Sequence, residues 1–231
     1  LQRDKNINVF GEGCDGETVL VEFDGSAAKA VVKNGKWLAV LPEHAAGEGY
    51  TMTVSCADVK KTFSDIAVGE VWLAGGQSNM EFELQNCTSG AERLKNDVTP
   101  NVRFYYTPKI VKGEPDYDEK MRNTRWEHFS EQSARYWSAV GYFFAKELAD
   151  KLGCTVGIIG CNWGGTKASH WMSRESLSHD DEMRFDLDEY DKCCEGKTPD
   201  ELTKMYRDYE DYNNAWNTRK EEYYAKTPNA S

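Results

Sequence analysis

The sequence lacks three features that would direct it to a membrane, a metal cluster or a nucleic acid. No segment reaches the roughly 18 consecutive apolar residues that a membrane-spanning helix needs. None of the seven cysteines forms a CxxC pair, so the spacing of a zinc ribbon is absent. Positive charge is scarce, and the net charge of -11 argues against a phosphate-backbone partner. We therefore expect no membrane and no nucleic-acid partner.

The composition favours a packed globular protein. Hydrophobic residues make up 39% and aromatic residues 12% of 231 residues, enough for one sizeable core or two small ones. The chain begins at Leu1 without a methionine, which a removed signal peptide or trimming would each explain. The seven cysteines leave the compartment open, since an odd number leaves at least one free thiol if the others pair within the chain.

Residues 1–66 have the pattern of a small all-β, sandwich-like domain. Four β-rich runs are separated by turn signals such as Asp24-Gly25 and Asn34-Gly35. The segment Gly11–Gly16 fits the GxGxxG fingerprint of dinucleotide sites, but a strand-like run follows it instead of the helix that would receive the pyrophosphate. We interpret this segment as a turn and expect no nucleotide cofactor.

From residue 67 the pattern changes to α/β, and we assign 67–231 to a second domain. Apolar strand patterns at "IAVGEVWLAG", "VRFYYTP" and Thr155–Gly160 surround a helix predicted over 138–152, which is the βαβ arrangement of a parallel sheet. A charged, aromatic segment at about 180–226 predicts a helical hairpin on the surface, with a helix start at Thr198-Pro199-Asp200-Glu201. Only about three strands are expected, so the sheet is incomplete and would leave an apolar edge unpaired.

Two glycine-rich polar motifs follow strands of this sheet, where ligands of open α/β sheets bind. Gly75-Gly76-Gln77-Ser78-Asn79 follows "VWLA", and Asn162 to Thr166 follows "TVGIIGC". A serine at the start of a helix lies beside unpaired N–H groups that stabilise negative charge, although it also serves as an ordinary helix cap. The glycine pair Gly164-Gly165 would point an N–H at the same place. Together the motifs favour acyl-transfer chemistry.

Three blocks of the sequence resemble the sialate O-acetylesterase family, a branch of the SGNH hydrolases. These are "GEVWLAGGQSNMEFEL", "YWSAVGYFFAKELADKLGCTVGIIGCNWGGTKASHW" and the N-terminal "LQRDKNINVFGEG" with "NGKWLAVLPEHAAGEGYTMTV", which together cover residues 1–178. The resemblance implies an SGNH-hydrolase-like (flavodoxin-like) parallel sheet preceded by a small β domain. It also implies a metal-independent serine esterase that removes O-acetyl groups from a carbohydrate in a secreted, periplasmic or lysosome-like location.

Carried over by motif position, the resemblance makes Ser78 the nucleophile. Its own N–H and that of Gly165 would hold the oxyanion, with Gly164 as the alternative donor. The remaining motif positions would shape the elbow or the pocket: Gln77, Asn79, Gly164, Thr166 and Trp171.

The base that would activate the serine is missing from the sequence. The family supplies it from a DxxH motif and adds a QGE block, and neither occurs here, since Leu41, Arg125, Lys167 and Ser176 precede the four histidines by three positions. His170 is the alternative base closest to the glycine motif. We expect instead a complementary C-terminal fragment that carries both blocks, so this chain alone would be inactive.

Four functions therefore remain. The leading one is an esterase acting on acetylated sialic acid, and the next is an acetylxylan esterase. A non-catalytic carbohydrate-binding protein with the same fold is the third. A lipase or thioesterase is disfavoured because no apolar acyl-binding stretch lies near either motif.

Overall fold

The computed structural model describes residues 1–110 and 117–227, in two compact units. The first unit consists of Leu1–Thr107 with Thr124–Thr166, and the second of Pro108–Asn123 with Lys167–Ser231. The helices, in chain order, are α1 (Ser78–Glu81), α2 (Gly90–Asn96), α3 (Tyr117–Arg122), α4 (Glu131–Ala134), α5 (Ala139–Leu152), α6 (Arg174–Ser178), α7 (Asp181–Cys194) and α8 (Pro199–Lys226).

The N-terminal part of the first unit consists of two antiparallel sheets. Its strands are β1 (Ile7–Glu12), β2 (Thr18–Phe23), β3 (Ser26–Val31), β4 (Lys36–Leu41), β5 (Gly47–Cys56) and β6 (Val59–Val68). Strand β1 pairs with β4, and the other four pair in the order β3-β2-β5-β6. Alternate residues of β2, Val19, Val21 and Phe23, are buried in the core between them. Gly11 and Glu12 of the GxGxxG segment are the last residues of β1, the rest of the segment forms the predicted turn, and the next element is β2 and not a helix.

The second part of this unit is a mixed sheet in the order β7-β10-β8-β9. Its strands are β7 (Glu70–Gly76), β8 (Val102–Tyr106), β9 (Trp126–His128) and β10 (Val156–Asn162). Strand β10 is central and runs parallel to both β7 and β8, whereas β9 pairs antiparallel with β8. Helix α5 covers one face of the sheet, where Gly141 lets it approach Ile158 and Phe104 closely.

The boundaries of α5 agree with its local sequence. The Ser138 side chain accepts the Gly141 N–H at the start of the helix, and Gly153 ends it with a φ of 62°. The prediction of a helix over 138–152 is therefore confirmed.

Two strand predictions differ from the structure. The run "IAVGEVWLAG" is two strands, because β6 ends at Val68 and β7 begins at Glu70. Gly69 between them forms a bridge with Gln2, and any Cβ at this position would collide with the carbonyl oxygen of Thr155. Strand β9 is a fourth strand of the mixed sheet that the sequence pattern did not predict, since three residues are too few to show alternation.

Strand β7 is the parallel edge strand of the mixed sheet among the described residues. Strand β7 has a strand partner on one side only, and Leu73 in its middle is 69% exposed. A parallel strand is normally covered on both faces, and soluble proteins protect an apolar strand edge from solvent. Within the first unit no second strand pairs with β7, whose Val71 N–H donates instead to the Gln2 side-chain oxygen at 2.8 Å.

The second unit is helical. Helix α8 begins with the expected signal, because Thr198 and Glu201 form a reciprocal capping box and Pro199 is its first residue. Both α7 and α8 lie within the 180–226 range, and neither buries any residue among those described. None of the helices in the described residues is long and apolar enough to cross a membrane.

Candidate active site

The two glycine-rich motifs leave the mixed sheet side by side. Strand β7 ends at Gly76 and β10 ends at Asn162, and these two residues are paired in register. The Trp163 N–H then donates to the Gly76 carbonyl oxygen at 2.9 Å. The motif loops therefore start at the same level of the same sheet edge.

Ser78 lies at the first position of α1, with its hydroxyl bound to the neighbouring residue. The capping residue is Gln77, not Ser78. The Gln77 side-chain oxygen, Oε1, accepts the Ser78 hydroxyl at 2.9 Å and the Ser78 N–H at 3.3 Å. Ser78 is exposed, and Asn79 beside it is exposed as well. The serine proton is therefore held by a neutral amide oxygen, in the place where a base would accept it.

Helix α1 is shorter than the sequence pattern predicts. Met80 to Leu84 reads as the start of a helix, but α1 ends at Glu81. The next residues instead pair with the chain before α5: the Phe82 carbonyl accepts the Ala139 N–H, and Leu84 donates to the Trp137 carbonyl, each at 2.8 Å. One helical turn has almost no macrodipole. Stabilisation of a charge at Ser78 must therefore come from individual N–H groups.

The glycine pair lies against Ser78. A Cβ placed on Gly164 would be 3.5 Å from Ser78 Oγ and 2.9 Å from a carboxylate oxygen of Glu81. The Gly164 N–H already donates to this Glu81 oxygen. Gly165 has a φ of 80°, is exposed and has open space around its Cβ position. Gly164 thus has its N–H engaged, and Gly165 is the better placed of the two to offer a donor.

The other two predicted site residues, Thr166 and Trp171, belong to different units, because the first unit ends at Thr166. Thr166 closes the glycine loop, because its hydroxyl donates to the Trp163 carbonyl at 2.7 Å. Trp171 belongs to the second unit, at the end of the short 3₁₀ helix Ala168–Trp171, and is 43% exposed.

The histidines give no base beside Ser78 in the first unit. His128 and Asp65 form a close pair, with Nε2 and Oδ2 2.7 Å apart, but His128 is level with Val71 through the register of β8 and β10. From Val71 to Gly76, at about 3.3 Å per residue, this places the pair roughly 16 Å from the motif end of the sheet. The His128–Asp65 pair lines a cavity of about 520 Å³ at the opposite end of the strands.

The three other histidines have partners of their own, and for His179, in the second unit, the partner is the Glu175 carbonyl oxygen, 2.6 Å from its Nδ1. His44 pairs with Asp24 at 2.8 Å in the antiparallel sheets, and this hydrogen bond raises the pKa of His44. His170 lies in the second unit, where its Nδ1 accepts the Lys167 N–H at 3.3 Å. No three metal-binding side chains are grouped among the residues that the structure describes.

Three polar residues next to the motifs were not predicted as site residues. Asn162 is only 4% exposed, and its side-chain oxygen accepts the Tyr106 hydroxyl at 2.7 Å. Burial, together with the charge of Glu81, raises the pKa of Tyr106. The signal for Glu81 was its position three residues after Ser78, on the same side of a helical turn. Asn162 and Tyr106 are identified only by the pairing of their strands.

Comparison with known proteins finds acetylesterases. No family model matches the sequence. The chain is 26% identical to the sialate O-acetylesterase of Homo sapiens and 23% identical to that of Mus musculus, over 186 residues and 73% of this chain. It spans about a third of the curated relatives, 36% of the human and 34% of the mouse protein.

A solved structure has a similar fold. The crystal structure of a carbohydrate acetylesterase from Xanthomonas citri matches with a TM-score of 0.70 and 33% sequence identity, covering 77% of this chain and 41% of that one. The mixed α/β architecture is therefore similar to that of a carbohydrate acetylesterase over most of the chain.

Proposed function

Since the chain is related to the sialate O-acetylesterase family, we propose that it carries the nucleophile half of an esterase site that removes O-acetyl groups from a carbohydrate. The observation that carries this proposal is the convergence of two loops, with Ser78 Oγ 3.5 Å from the Cβ position of Gly164. A nucleophile next to a glycine loop with an exposed N–H is what acyl transfer requires. Sialic acid is the leading substrate, and acetylated xylan is the alternative.

In the proposed reaction Ser78 Oγ attacks the acetyl carbonyl carbon and gives its proton to a histidine base. The N–H groups of Ser78 and Gly165 hold the oxyanion. Collapse of the tetrahedral intermediate expels the sugar oxygen, which takes the proton from the imidazolium. Water, activated by the same base, then cleaves the acetyl-serine ester and releases acetate. For this to occur, the Ser78 hydroxyl and N–H must leave Gln77 Oε1, which the base and the substrate would displace.

The base is proposed to lie on a complementary C-terminal segment that carries QGE and DxxH blocks. The unpaired β7 edge, the exposed Leu73 and the fact that the chain spans only about a third of its relatives' length support this partner. We likewise propose that residues 1–66 are a β-sandwich-like domain and that 67–231 are the N-terminal part of an SGNH-like α/β domain, without a metal or other cofactor. A carbohydrate target fits a secreted, periplasmic or lysosome-like location, with no nucleic-acid or membrane partner.

The esterase proposal is tested by hydrolysis of p-nitrophenyl acetate by the chain together with its complementary segment. We expect Ser78→Ala to abolish turnover. Ser89→Ala is the matched control, because Ser89 precedes α2 without forming a side-chain cap and its loss should leave turnover unchanged. Equal turnover in wild type and Ser78→Ala contradicts the esterase mechanism. In that case the non-catalytic carbohydrate-binding alternative is favoured, and binding of acetylated sugars to both proteins would support it.

The complementary segment is tested separately, by the native mass of the purified, non-reduced protein. We expect a second polypeptide or a longer chain to accompany the activity. An active monomer of 26.2 kDa would exclude the segment.

A further inference from the structure

Glu81 connects the helix of the nucleophile to the glycine loop. It lies one turn after Ser78 at the end of α1, and its carboxylate accepts the N–H of Gly164, which is 83 positions further along the chain. Glu81 is half-buried, so this contact is partly shielded from water. A hydrogen bond to an ionised carboxylate is roughly twice as strong as one between neutral groups.

The loop needs such an anchor because its two glycines restrict its backbone little. Gly164 and Gly165 have no Cβ, and a glycine loses more conformational freedom on folding than any other residue. Two contacts flank Gly165 in the loop: Glu81 accepts the Gly164 N–H, and the Thr166 hydroxyl donates to the Trp163 carbonyl at 2.7 Å. Between them lies Gly165, whose φ of 80° turns the chain. With the preceding amide held, only the φ and ψ of Gly164 are left to set the direction of the Gly165 N–H, so the contact restricts that direction.

The contact also explains why position 164 carries no side chain. A Cβ there would lie 2.9 Å from the Glu81 carboxylate oxygen, closer than real Cβ atoms approach. Glycine at 164 lets the carboxylate reach the backbone N–H, and the same contact occupies that N–H. Gly164 is thereby removed as an oxyanion donor.

We propose that Glu81 is a positioning residue of the proposed esterase site: its carboxylate engages the Gly164 N–H and so orients the Gly165 N–H toward the acyl oxygen on Ser78. This assignment rests on the proposed function for its catalytic consequence. The contact between Glu81 and Gly164 can be tested without any activity.

The contact is tested by the amide NMR signal of Gly164. Trp163-Gly164 is the only Trp-Gly pair in the sequence, so a chain with ¹³C-carbonyl tryptophan and ¹⁵N-glycine gives one connected signal, which belongs to Gly164. We expect the Gly164 amide proton to move upfield in Glu81→Gln and further in Glu81→Ala, because an amide acceptor is weaker than a carboxylate and alanine has none.

Glu83→Gln is the matched control. It removes the same charge two positions away, where Glu83 accepts from the Gln85 and Asn86 side chains. The Gly164 signal should stay in place in this variant. If Glu81→Gln and Glu81→Ala leave the signal unmoved, or if Glu83→Gln moves it equally, the positioning role is wrong.

The catalytic consequence is tested by p-nitrophenyl acetate hydrolysis with the complementary segment present. We expect Glu81→Ala to lower kcat about 10- to 100-fold at nearly constant KM, since a small misplacement of a catalytic group costs up to ~100-fold. Glu81→Gln, which keeps an acceptor oxygen, should recover most of the loss. A normal kcat in Glu81→Ala overturns the role. If wild type shows no Ser78-dependent hydrolysis, the proposed function fails, while the NMR result still decides the contact.

Discussion

Asn162, the last residue of β10, pairs in register with Gly76, the last residue of β7. This pairing brings Ser78, two residues after Gly76, to the glycine loop that begins two residues after Asn162. The Trp163 N–H holds the arrangement by donating to the Gly76 carbonyl at 2.9 Å. The meeting of nucleophile and glycine loop is therefore a consequence of strand register.

Gly165→Ala separates catalytic from conformational effects. Both Gly165 and Gly153 have positive φ, 80° and 62°, with open space around their Cβ positions. Alanine at either site should lower the free energy of unfolding by about 1 kcal/mol, measured by urea denaturation. Only Gly165→Ala should also lower kcat, because it shifts a proposed oxyanion donor whose complete removal costs ~100- to 1000-fold. Equal activity in the two variants would leave Gly165 with a purely structural role.

Leu73→Glu tests the unpaired strand edge. Leu73 is 69% exposed on β7, and a charge there should block the addition of a covering segment and improve the solubility of the isolated chain. Association is measured by analytical ultracentrifugation with the complementary segment. Leu38→Glu is the control, since Leu38 is a 56% exposed leucine on β4. Unimpaired association of Leu73→Glu would show that the segment covers another surface.

Tyr142→Phe should destabilise the core of the mixed sheet. The Tyr142 hydroxyl is 2.5 Å from a carboxylate oxygen of Asp97, whose side chain is only 11% exposed. Losing the donor leaves this carboxylate short of a partner and should cost about 1–3 kcal/mol of unfolding free energy. Tyr136→Phe, at an exposed tyrosine of the same segment, should cost little. A similar small loss in both would refute the contribution of this hydrogen bond.

The phenol itself should also titrate abnormally. Burial first, and then the hydrogen bond to Asp97, raises the pKa of Tyr142 above its ordinary value of 10.0. The folded protein favours the protonated form of Tyr142. The contribution of the Tyr142 phenol to the free energy of unfolding is therefore fully present below pH 10 and is lost as the pH rises further. We expect the folded wild type and Tyr142→Phe to form the same number of phenolates in an absorbance titration near pH 10, because Tyr142 stays protonated there. One phenolate more in wild type than in Tyr142→Phe would mean that Tyr142 titrates normally.

The contacts of Asp65 should make the free energy of unfolding depend on pH in the acid range. The hydrogen bond from His128, with the charge of Arg103, lowers the pKa of Asp65 below 3.8. A lowered carboxyl pKa contributes stability above about pH 3.8 that is lost as the pH falls through the folded-state pKa. Asp65→Asn should therefore destabilise the protein at neutral pH and flatten the acid limb of the stability curve. Asparagine tolerates the φ of 58° at this position, so backbone strain is not added.

Asp58→Asn is the control for this comparison, because Asp58 lies in the turn of the same β5–β6 hairpin. It should leave the shape of the acid limb unchanged. Parallel curves for wild type and Asp65→Asn would show that the pair with His128 has no part in acid stability.

Features that depend on neighbouring residues were predictable from the sequence. Ser138 and Gly153 define the ends of α5, and Thr198 to Glu201 define the start of α8, because caps are satisfied within one turn. The strand that leads into Ser78 was predictable from its apolar run and the glycines that end it. These signals also gave the glycine motifs, and through them the resemblance to acetylesterases.

Features that depend on distant segments of the chain could not be predicted from the sequence. The length of α1 is set by Trp137 and Ala139, which bind the backbone after Glu81 from more than 50 positions away. The split at Gly69 depends on Thr155, and the choice between Gly164 and Gly165 depends on the reach of Glu81. The sequence by itself determined which residues begin and end most elements and which serine follows a strand. Only the tertiary structure decided which N–H groups are already bound, because hydrogen-bond partners are assigned by strand register and loop packing between remote parts of the chain.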